Sequence, residues 1–205
     1  NLMYARLDEG DEVLIPTPFW TSYRDIADIL GAKSVFLHCG PEQDYKLTAA
    51  QLEAAITPAT KLLMFNNPSN PTGMDDIYNR MIFDGLDYAH LVKARPQLRD
   101  RVVLIDSISK TYGMPGWRVG LIAAPEAVAQ AMVNLNSNHI TNLPEVVTAA
   151  AVAAMNGPQD IPRQKAIDFA RKRDEVYAAL VSIPGVVCPR PQGAFYAFPD
   201  ISCAF

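Results

Sequence analysis

The most reactive combination of side chains in the sequence is a serine-rich segment that contains a lysine and is followed by an arginine. It runs from Ser107 through Ser109 and Lys110 to Arg118, with glycines between and after them. Serine hydroxyls donate single hydrogen bonds to a phosphate, whereas an arginine binds two phosphate oxygens at once. A lysine beside a phosphate-binding group indicates a phosphorylated carbonyl cofactor held as an imine. Considered alone, the segment is more simply a surface lysine after a serine-rich turn.

Three further segments contain side chains that could contribute to such a site. Asn70, in the turn Asn-Pro-Thr-Gly, could donate a hydrogen bond to a ligand oxygen. Asp75 could pair with a protonated ring nitrogen, and Tyr78 could hydrogen-bond a phenolate. Trp20, or its neighbour Phe19, could stack on a flat ring. Each also has an ordinary explanation, as a turn, a charged turn or a core aromatic.

Together these motifs resemble the fold-type I pyridoxal-phosphate enzymes, specifically the class I/II aminotransferases similar to aspartate aminotransferase. Residues 107–120 fit the family pattern S-x-S-K followed by G-W-R-x-G, and N-P-T-G lies upstream of them. The resemblance extends over nearly the whole chain. It implies that Lys110 forms the internal aldimine with pyridoxal 5'-phosphate and later transfers the substrate proton.

The resemblance also implies the other cofactor contacts. These are Asp75 with the pyridine nitrogen, Tyr78 and Asn70 with the 3-oxygen, Trp20 stacked on the ring, and Ser107, Ser109 and Arg118 with the phosphate. The implied catalytic residues are Lys110, Asp75 and Tyr78, and no metal is implied.

The activity implied by the resemblance is transfer of an amino group between an amino acid and a 2-oxo acid, with ping-pong kinetics. A homodimer is implied as well. Two alternatives stay open. A pyridoxal-phosphate lyase of the same fold, such as a carbon–sulfur β-lyase, would use the same cofactor residues. A non-catalytic fragment would keep the fold without the chemistry.

Short apolar strands alternate with amphipathic helices, which predicts an α/β fold with a mainly parallel sheet flanked by helices. We expect strands at residues 12–16, 34–38, 61–65, 102–106, 119–123, 186–188 and 194–198. We expect helices at residues 21–30, 48–56, 125–134, 144–155 and 162–182, and a loop at 107–116. Thr48, with Gln51 three residues later, predicts a capping box, and Gly31 predicts a helix C-cap. Lys110 and Asn70 then follow the carboxyl ends of strands, where ligands bind in such sheets.

The domain prediction is a large cofactor-binding unit over residues 1–165 and the beginning of a smaller C-terminal α/β domain over 166–205. The family has a helix and a buried strand between N-P-T-G and D-E-I-Y, whereas here only Met74 separates Gly73 from Asp75. A parallel crossover needs at least ~10–12 residues. We therefore expect a segment to be missing near 74–75, as well as an N-terminal part.

Composition and charge predict a packed protein with reduced, cytoplasmic thiols. Hydrophobic residues make up 49% and charged residues 20% of the 205, which allows a sizeable core. A net charge of −4 argues against nucleic acid as a partner. No apolar run is long enough for a membrane span and no signal peptide is evident, so we expect a cytoplasmic protein. The three cysteines lack C-x-x-C spacing, which argues against zinc and disulfides.

Overall fold

A three-stranded parallel sheet forms the N-terminal part of the protein. The computed structural model describes residues 1–66, 79–88 and 90–205. Within these ranges β1 (Glu12–Thr17) lies between β2 (Lys33–His38) and β3 (Thr60–Leu63), and both neighbours run parallel to it. The strands predicted at 12–16, 34–38 and 61–65 are confirmed. β1 is the central strand, and its continuous apolar run is typical of a strand covered on both faces.

Two short helices cover one face of this sheet. Helix α1 (Leu2–Arg6) and helix α2 (Ser22–Ile29) bring apolar side chains onto β1. The resulting core cluster contains Met3, Leu7, Val13, Ile15, Ala27 and Ala32. The chain leaves α2 through Gly31, whose φ of 70° lies in the left-handed region that glycine adopts without strain. The predicted C-cap is therefore confirmed.

Helix α3 (Ala49–Ala55) begins with the predicted capping box. The Thr48 hydroxyl accepts a hydrogen bond from the Gln51 backbone N–H at 3.2 Å, and the Gln51 side chain accepts one from the Thr48 N–H at 3.1 Å. The Gln51 amide also donates to the carbonyl of His38 at 2.8 Å. The same residue that caps the helix thus ties it to the end of β2.

A second, two-stranded sheet follows later in the chain. β4 (Leu104–Ser107) pairs with β5 (Gly120–Ala123), and the pair is antiparallel. Between them, residues 107–116 are not a plain loop as predicted, because they contain the one-turn helix α5 (Ile108–Thr111) and the start of a 3-10 turn, Pro115–Trp117. The Ser107 cap supplies the local reason, since a serine that accepts from the backbone starts a helix.

Longer helices occupy the C-terminal part. A short helix α4 (Leu91–Ala94) and a 3-10 segment at Pro96–Arg101 precede β4, and three longer α-helices follow β5. These are α6 (Glu126–His139), α7 (Glu145–Asn156) and α8 (Asp160–Val181). All three confirm predicted helices, with α6 extending five residues beyond its predicted end. α8 continues without a break through residue 165, where the sequence-based domain boundary falls. None of the helices in the described ranges meets the length and hydropathy needed to cross a membrane.

The C-terminal segment does not form the two strands predicted at 186–188 and 194–198. It makes isolated bridges instead, pairing Val187 with Asp200 and Gly193 with Ile82. Proline lacks the N–H that a strand ladder needs, and two prolines, Pro189 and Pro191, lie between the predicted strands. Ala194 has a φ of 59°, which breaks the extended backbone.

Candidate functional site

The end of β4 brings two serine hydroxyls together. Ser107 is the last residue of β4 and the N-cap of α5, and its Oγ accepts a hydrogen bond from the Ser109 N–H at 3.0 Å. The two hydroxyl oxygens lie 2.7 Å apart, and Ser107 Oγ also lies 2.9 Å from the carbonyl of Val119. The hydroxyls are therefore fixed at the carboxyl end of the strand, where the sequence analysis expected a ligand.

Lys110 lies on the single turn of α5 and is half-buried. Its Nζ lies 5.3 Å from the centroid of the Phe195 ring. Phe195 belongs to the C-terminal segment, so the amine contacts a part of the chain that is 85 positions distant in sequence. An ammonium over an aromatic face is attracted by the ring quadrupole. The sequence analysis did not identify Phe195 as part of the site.

Arg118 lies near the same end of β4, because β5, which begins two residues later, pairs with β4. Ser107 pairs with Gly120, so Arg118 lies just outside the ladder, opposite the start of α5. It adopts a left-handed conformation with φ of 56°, directly after the 3-10 turn. Its guanidinium is exposed and donates to the carbonyl of Pro115 at 3.0 Å. Ser107, Ser109, Lys110 and Arg118 thus belong to one compact strand–turn–strand unit.

The two aromatic candidates after β1 have different environments. Phe19 stacks on Phe36 with ring centroids 5.1 Å apart and packs against the N-terminal core. Trp20 is 53% exposed and contacts Tyr23 edge-on at 5.7 Å. Phe19 is therefore a core residue, and Trp20 is the residue whose ring is available to a ligand. It follows the carboxyl end of β1, while Lys110 follows that of β4.

Asn70, Asp75 and Tyr78 lie outside the described residues, so their predicted roles stay predictions. The chain becomes described again at Asn79, whose amide donates to Asp106 Oδ2 at 3.0 Å. The other carboxylate oxygen of Asp106 accepts from the Ser107 N–H at 2.6 Å. Residue 79 is therefore tied to the strand end that carries Ser107. An aspartate closing an apolar strand is a recognisable signal, but the sequence analysis gave Asp106 no role.

The hydroxyls of Ser107 and Ser109, the Arg118 guanidinium and the Lys110 amine together suit one kind of ligand. Two hydroxyls and a guanidinium suit a phosphate, and a primary amine beside them suits a carbonyl group. Among the residues that the structure describes, no group of three or more histidine, cysteine or acidic side chains could hold a metal ion. Cys39, Cys188 and Cys203 are free thiols, and burial raises the pKa of Cys39 and Cys188. The chemistry available at the end of β4 is therefore that of an amine next to an anion-binding group.

The sequence model of the class I and II aminotransferase family matches residues 2–204, so the chain belongs to that family. Among its relatives is the aspartate aminotransferase of Rhizobium meliloti, which is 38% identical over 222 residues. Another is the aspartate/prephenate aminotransferase of Cereibacter sphaeroides, 39% identical over 226 residues. These alignments include 97% and 98% of this chain but 54% and 56% of the relatives. The chain thus spans about half the length of the curated relatives it matches.

Solved structures show the same fold. The crystal structure of the Rhizobium meliloti aspartate aminotransferase superposes with a TM-score of 0.93 at 37% identity, covering 97% of this chain and 56% of that one. An aspartate aminotransferase of Thermus thermophilus superposes with a TM-score of 0.90 at 27% identity, covering 98% and 58%. The aspartate aminotransferase-like fold is therefore confirmed. The alignment with the first relative has more positions than the 205 residues of this chain, so that relative has residues in this region without a counterpart here.

Pyridoxal phosphate is the cofactor of this family, and the side chains at the end of β4 fit it. The fit rests on the donor set itself. Ser107 and Ser109 present paired hydroxyls, Arg118 presents an exposed guanidinium, and Lys110 presents an amine on the same turn. A phosphorylated aldehyde needs these three kinds of group and no metal.

Proposed function

We propose that the protein transfers an amino group between an amino acid and a 2-oxo acid, using pyridoxal phosphate in a ping-pong cycle. The observation that supports this most directly is the turn between β4 and β5. It carries the paired Ser107 and Ser109 hydroxyls, the Lys110 amine and the Arg118 guanidinium within one unit. Family membership supports the same conclusion.

Ser107, Ser109 and Arg118 are the proposed phosphate ligands. Ser107 and Ser109 already lie at hydrogen-bonding distance from each other, so a phosphate would meet a preformed pair. Arg118 would exchange its hydrogen bond to Pro115 for two bonds to phosphate oxygens. Together these contacts would fix the cofactor while its link to Lys110 is made and broken.

The remaining cofactor contacts are proposed from the family resemblance. Trp20, with its exposed ring, would stack on the cofactor. Asp75 would keep the pyridine nitrogen protonated, and Tyr78 and Asn70 would donate to the 3-oxygen. These assignments give the ring a positive charge at one end and a stabilised anion at the other.

When bound, pyridoxal phosphate supplies an electron-accepting ring conjugated to the substrate nitrogen. Lys110 would carry the proton step: after displacement by the substrate, its Nζ would remove the proton from the substrate Cα and deliver it to the C4′ carbon of the cofactor. The Phe195 ring, 5.3 Å from Nζ, limits the volume in which that amine moves and shields it from water on one side.

The substrates, assembly and location are also proposals. The relatives named above act as aspartate aminotransferases or aspartate/prephenate aminotransferases, so aspartate is the proposed amino donor. We further propose a cytoplasmic homodimer. In the proposed domain arrangement, α8 joins a cofactor-binding unit over residues 1–165 to the beginning of a smaller domain over 166–205.

The first test replaces the lysine and traps the cofactor. The full-length protein, incubated with pyridoxal phosphate and reduced with borohydride, should give one stable adduct per chain. Lys110→Ala should lose the adduct completely, because the nucleophilic amine is gone. Lys172→Ala is a matched control, since Lys172 Nζ also lies over a phenylalanine ring, 5.5 Å from the Phe169 centroid. Lys172→Ala should retain the adduct, and full adduct in Lys110→Ala would remove Lys110 from its role.

The second measurement identifies the reaction. Aspartate and a 2-oxo acid are supplied together, and the new amino acid is measured alongside ammonia and pyruvate. Oxo-acid-dependent formation of a new amino acid supports transfer. Release of ammonia and pyruvate from a β-substituted amino acid without any oxo acid would instead show the lyase activity that shares these cofactor residues.

A further inference from the structure

Helix α5, which carries Lys110, has a single turn and cannot be stable by itself. Isolated helices need roughly 12–15 residues to be even marginally stable in water. α5 has four, Ile108–Thr111, so its orientation depends on the packing of its buried side chains and on what holds its two ends. Ser107 holds the N-terminal end through its hydroxyl bonds to Ser109 and Val119. The contact at the other end is made by Tyr112, the C-cap residue.

The Tyr112 side chain is fixed at two places. Its ring packs beside the small cluster of Ile108, Val119 and Ala151. Its hydroxyl donates to Gln159 Oε1 at 3.0 Å. A polar contact across 47 positions therefore joins the end of the lysine-bearing turn to the connection between α7 and α8.

Gln159 makes more hydrogen bonds than this one. Its Oε1 also accepts from Arg80 Nη1 at 3.1 Å. Its Nε2 lies 2.7 Å from the carbonyl of Gly157, 3.2 Å from that of Ala154 and 3.3 Å from that of Met155, at the C-terminal end of α7. One side-chain amide thus satisfies orphan carbonyls of α7 with its nitrogen and holds Tyr112 and Arg80 with its oxygen.

Helix capping does not explain the choice of glutamine here. Gln159 occupies the N-cap position of α8, but its side chain makes no cap hydrogen bond to that helix. N-cap positions favour serine, threonine, aspartate and asparagine. The side chain is directed towards α7 and Tyr112 instead, so its length serves contacts outside its own helix.

We infer that Gln159 is a positioning residue which, through Tyr112, sets the orientation of α5 and hence of the Lys110 amine. The inference rests on the proposed function, since it matters only if Lys110 reacts with the cofactor. Arg80 brings a third segment to the same oxygen, so the link also joins the chain that follows residue 78.

Two substitutions separate the oxygen and nitrogen functions of Gln159. Gln159→Glu keeps an oxygen acceptor for Tyr112 and Arg80 but removes the N–H donors to α7. Tyr112→Phe removes the hydroxyl donor to Gln159 and leaves the bonds to α7 intact. Gln159→Leu removes both functions. Gln164→Leu is the control on the same helix, because the exposed Gln164 side chain bonds to Asp168, an exposed carboxylate one turn further along α8.

Hydrogen exchange in the cofactor-free, full-length protein gives a readout that does not depend on activity. The backbone N–H groups of Tyr112 and Gly113 bond to Ile108 and Lys110 and report on the end of α5. Their exchange should become about fivefold faster in Tyr112→Phe and in Gln159→Leu, the factor that corresponds to one net hydrogen bond. It should stay at the parent rate in Gln159→Glu and Gln164→Leu. In Gln159→Glu the Gly157 N–H, which bonds to Ala153 in α7, should exchange faster instead.

The rate of borohydride-trapped adduct formation then tests the consequence for Lys110. It should fall by about ten- to a hundredfold in Tyr112→Phe and Gln159→Leu, because a displacement of about 1 Å can cost that much. Gln159→Glu should stay near the parent rate. If the parent forms no adduct, the proposed function fails, and the inference about Lys110 fails with it. The inference alone is wrong if the parent forms the adduct and Tyr112→Phe has the same hydrogen exchange and the same rate of adduct formation as the parent. It is also wrong if Gln159→Glu behaves as Gln159→Leu. In either case Gln159 only caps α7.

Discussion

β1 is buried along most of its length, whereas β4 and β5, which flank the lysine-bearing turn, leave much of their apolar surface exposed. Val13 and Ile15 in β1 have no exposed surface. The paired residues Ile105 and Ile122 in β4 and β5 are 46% and 48% exposed. The N-terminal sheet is therefore held by a larger apolar core than the site region, whose buried cluster is limited to Ile108, Val119 and Ala151.

Around the site, polar side-chain bonds are added to a small apolar cluster of Ile108, Val119 and Ala151. Asn79 bonds to Asp106, Ser107 to Val119, and Tyr112 to Gln159. Hydrogen bonds are directional, while apolar packing is not. The turn with Ser107, Ser109 and Lys110 must hold an amine and two hydroxyls at fixed positions, so directional contacts determine its geometry more than they determine that of the N-terminal sheet. The two regions thus differ in what determines their geometry.

The C-terminal segment is attached by polar bonds as well as by the apolar contact of Ala194 with Met81. Arg173 on α8 is buried and binds Asp84 through two bonds, at 2.8 and 3.0 Å, and the carbonyl of Pro191 at 2.7 Å. Its guanidinium also lies 4.9 Å from the centroid of the Phe83 ring. Arg190 binds both Asp84 and Asp174. This ion-pair network holds in place the segment that brings Phe195 to Lys110.

The largest expected effect comes from a matched pair of isoleucines, one in each region. Ile15→Ala should lower the free energy of unfolding by about 2–5 kcal/mol, since it opens a cavity in the core against α1 and α2. Ile105→Ala should lower it by less than about 1 kcal/mol, because that side chain is half exposed. Urea unfolding of both variants checks the comparison. Equal losses would mean that β4 is as deeply supported as β1.

The next effect concerns the Arg173 network. Asp84→Ala removes the bidentate partner of a buried guanidinium and leaves it with Asp174 and the Pro191 carbonyl. Breaking a fully buried pair costs about 3–5 kcal/mol, but Asp84 is 40% exposed and solvent screens it, so we expect about 1–3 kcal/mol. Glu175→Ala, which breaks an exposed pair with Arg171 on the same helix, should cost under about 0.5 kcal/mol. Similar losses in the two variants would show that burial of Arg173 contributes nothing.

The same network should respond to acid. The hydrogen bond from Arg173, with the charges of Arg173 and Arg190, holds the pKa of Asp84 below its ordinary value of 3.8. Because the pKa is lower in the folded than in the unfolded protein, the stabilisation is fully present above 3.8 and is lost as the pH falls through the folded value. The stability difference between the parent and Asp84→Ala should therefore shrink below that pH. A difference that stays constant down to pH ~2 would exclude this carboxylate as the source.

Sequence patterns predicted local features well because neighbouring residues determine them. The apolar run of β1, the Thr48 capping box and the glycine after α2 each act within a few positions, and all three were confirmed. The turn with Ser107, Lys110 and Arg118 could be identified because its spacing is itself short.

Contacts between distant residues were not predictable in the same way. Phe195, 85 positions from Lys110, lies in a segment whose alternating apolar pattern suggested a strand. Two prolines and the left-handed Ala194 prevent that strand, and the irregular segment brings Phe195 to the lysine instead. Gln159 follows Gly157-Pro158, a sequence that suggests only a connection between helices. Neither residue type is unusual enough to signal a role without the fold.

The smallest expected effects on stability come from replacing threonine by alanine at a helix cap and inside a helix. Thr48→Ala removes the N-cap acceptor of α3 and should lower the free energy of unfolding by about 1 kcal/mol, and Thr48→Ser should restore most of it. Thr148→Ala lies inside α7, where its hydroxyl makes a long 3.4 Å contact with the Pro144 carbonyl. Alanine has the higher helix propensity, so this change should leave stability unaltered or raise it slightly.

The Thr48 variant also tests whether the two regions are independent. α3 contacts β2 in the N-terminal sheet, and within the described residues the hydrogen bonds of its capping side chains join Thr48, Gln51, Gln43 and His38, all far in sequence from Lys110. A loss of about 1 kcal/mol there should leave the rate of adduct formation at Lys110 unchanged while the protein stays folded. Tyr112→Phe should cost a comparable amount, about one net hydrogen bond, but should slow adduct formation. If Thr48→Ala slowed adduct formation as much as Tyr112→Phe, the sheet and the lysine-bearing turn would have to be treated as one cooperative unit.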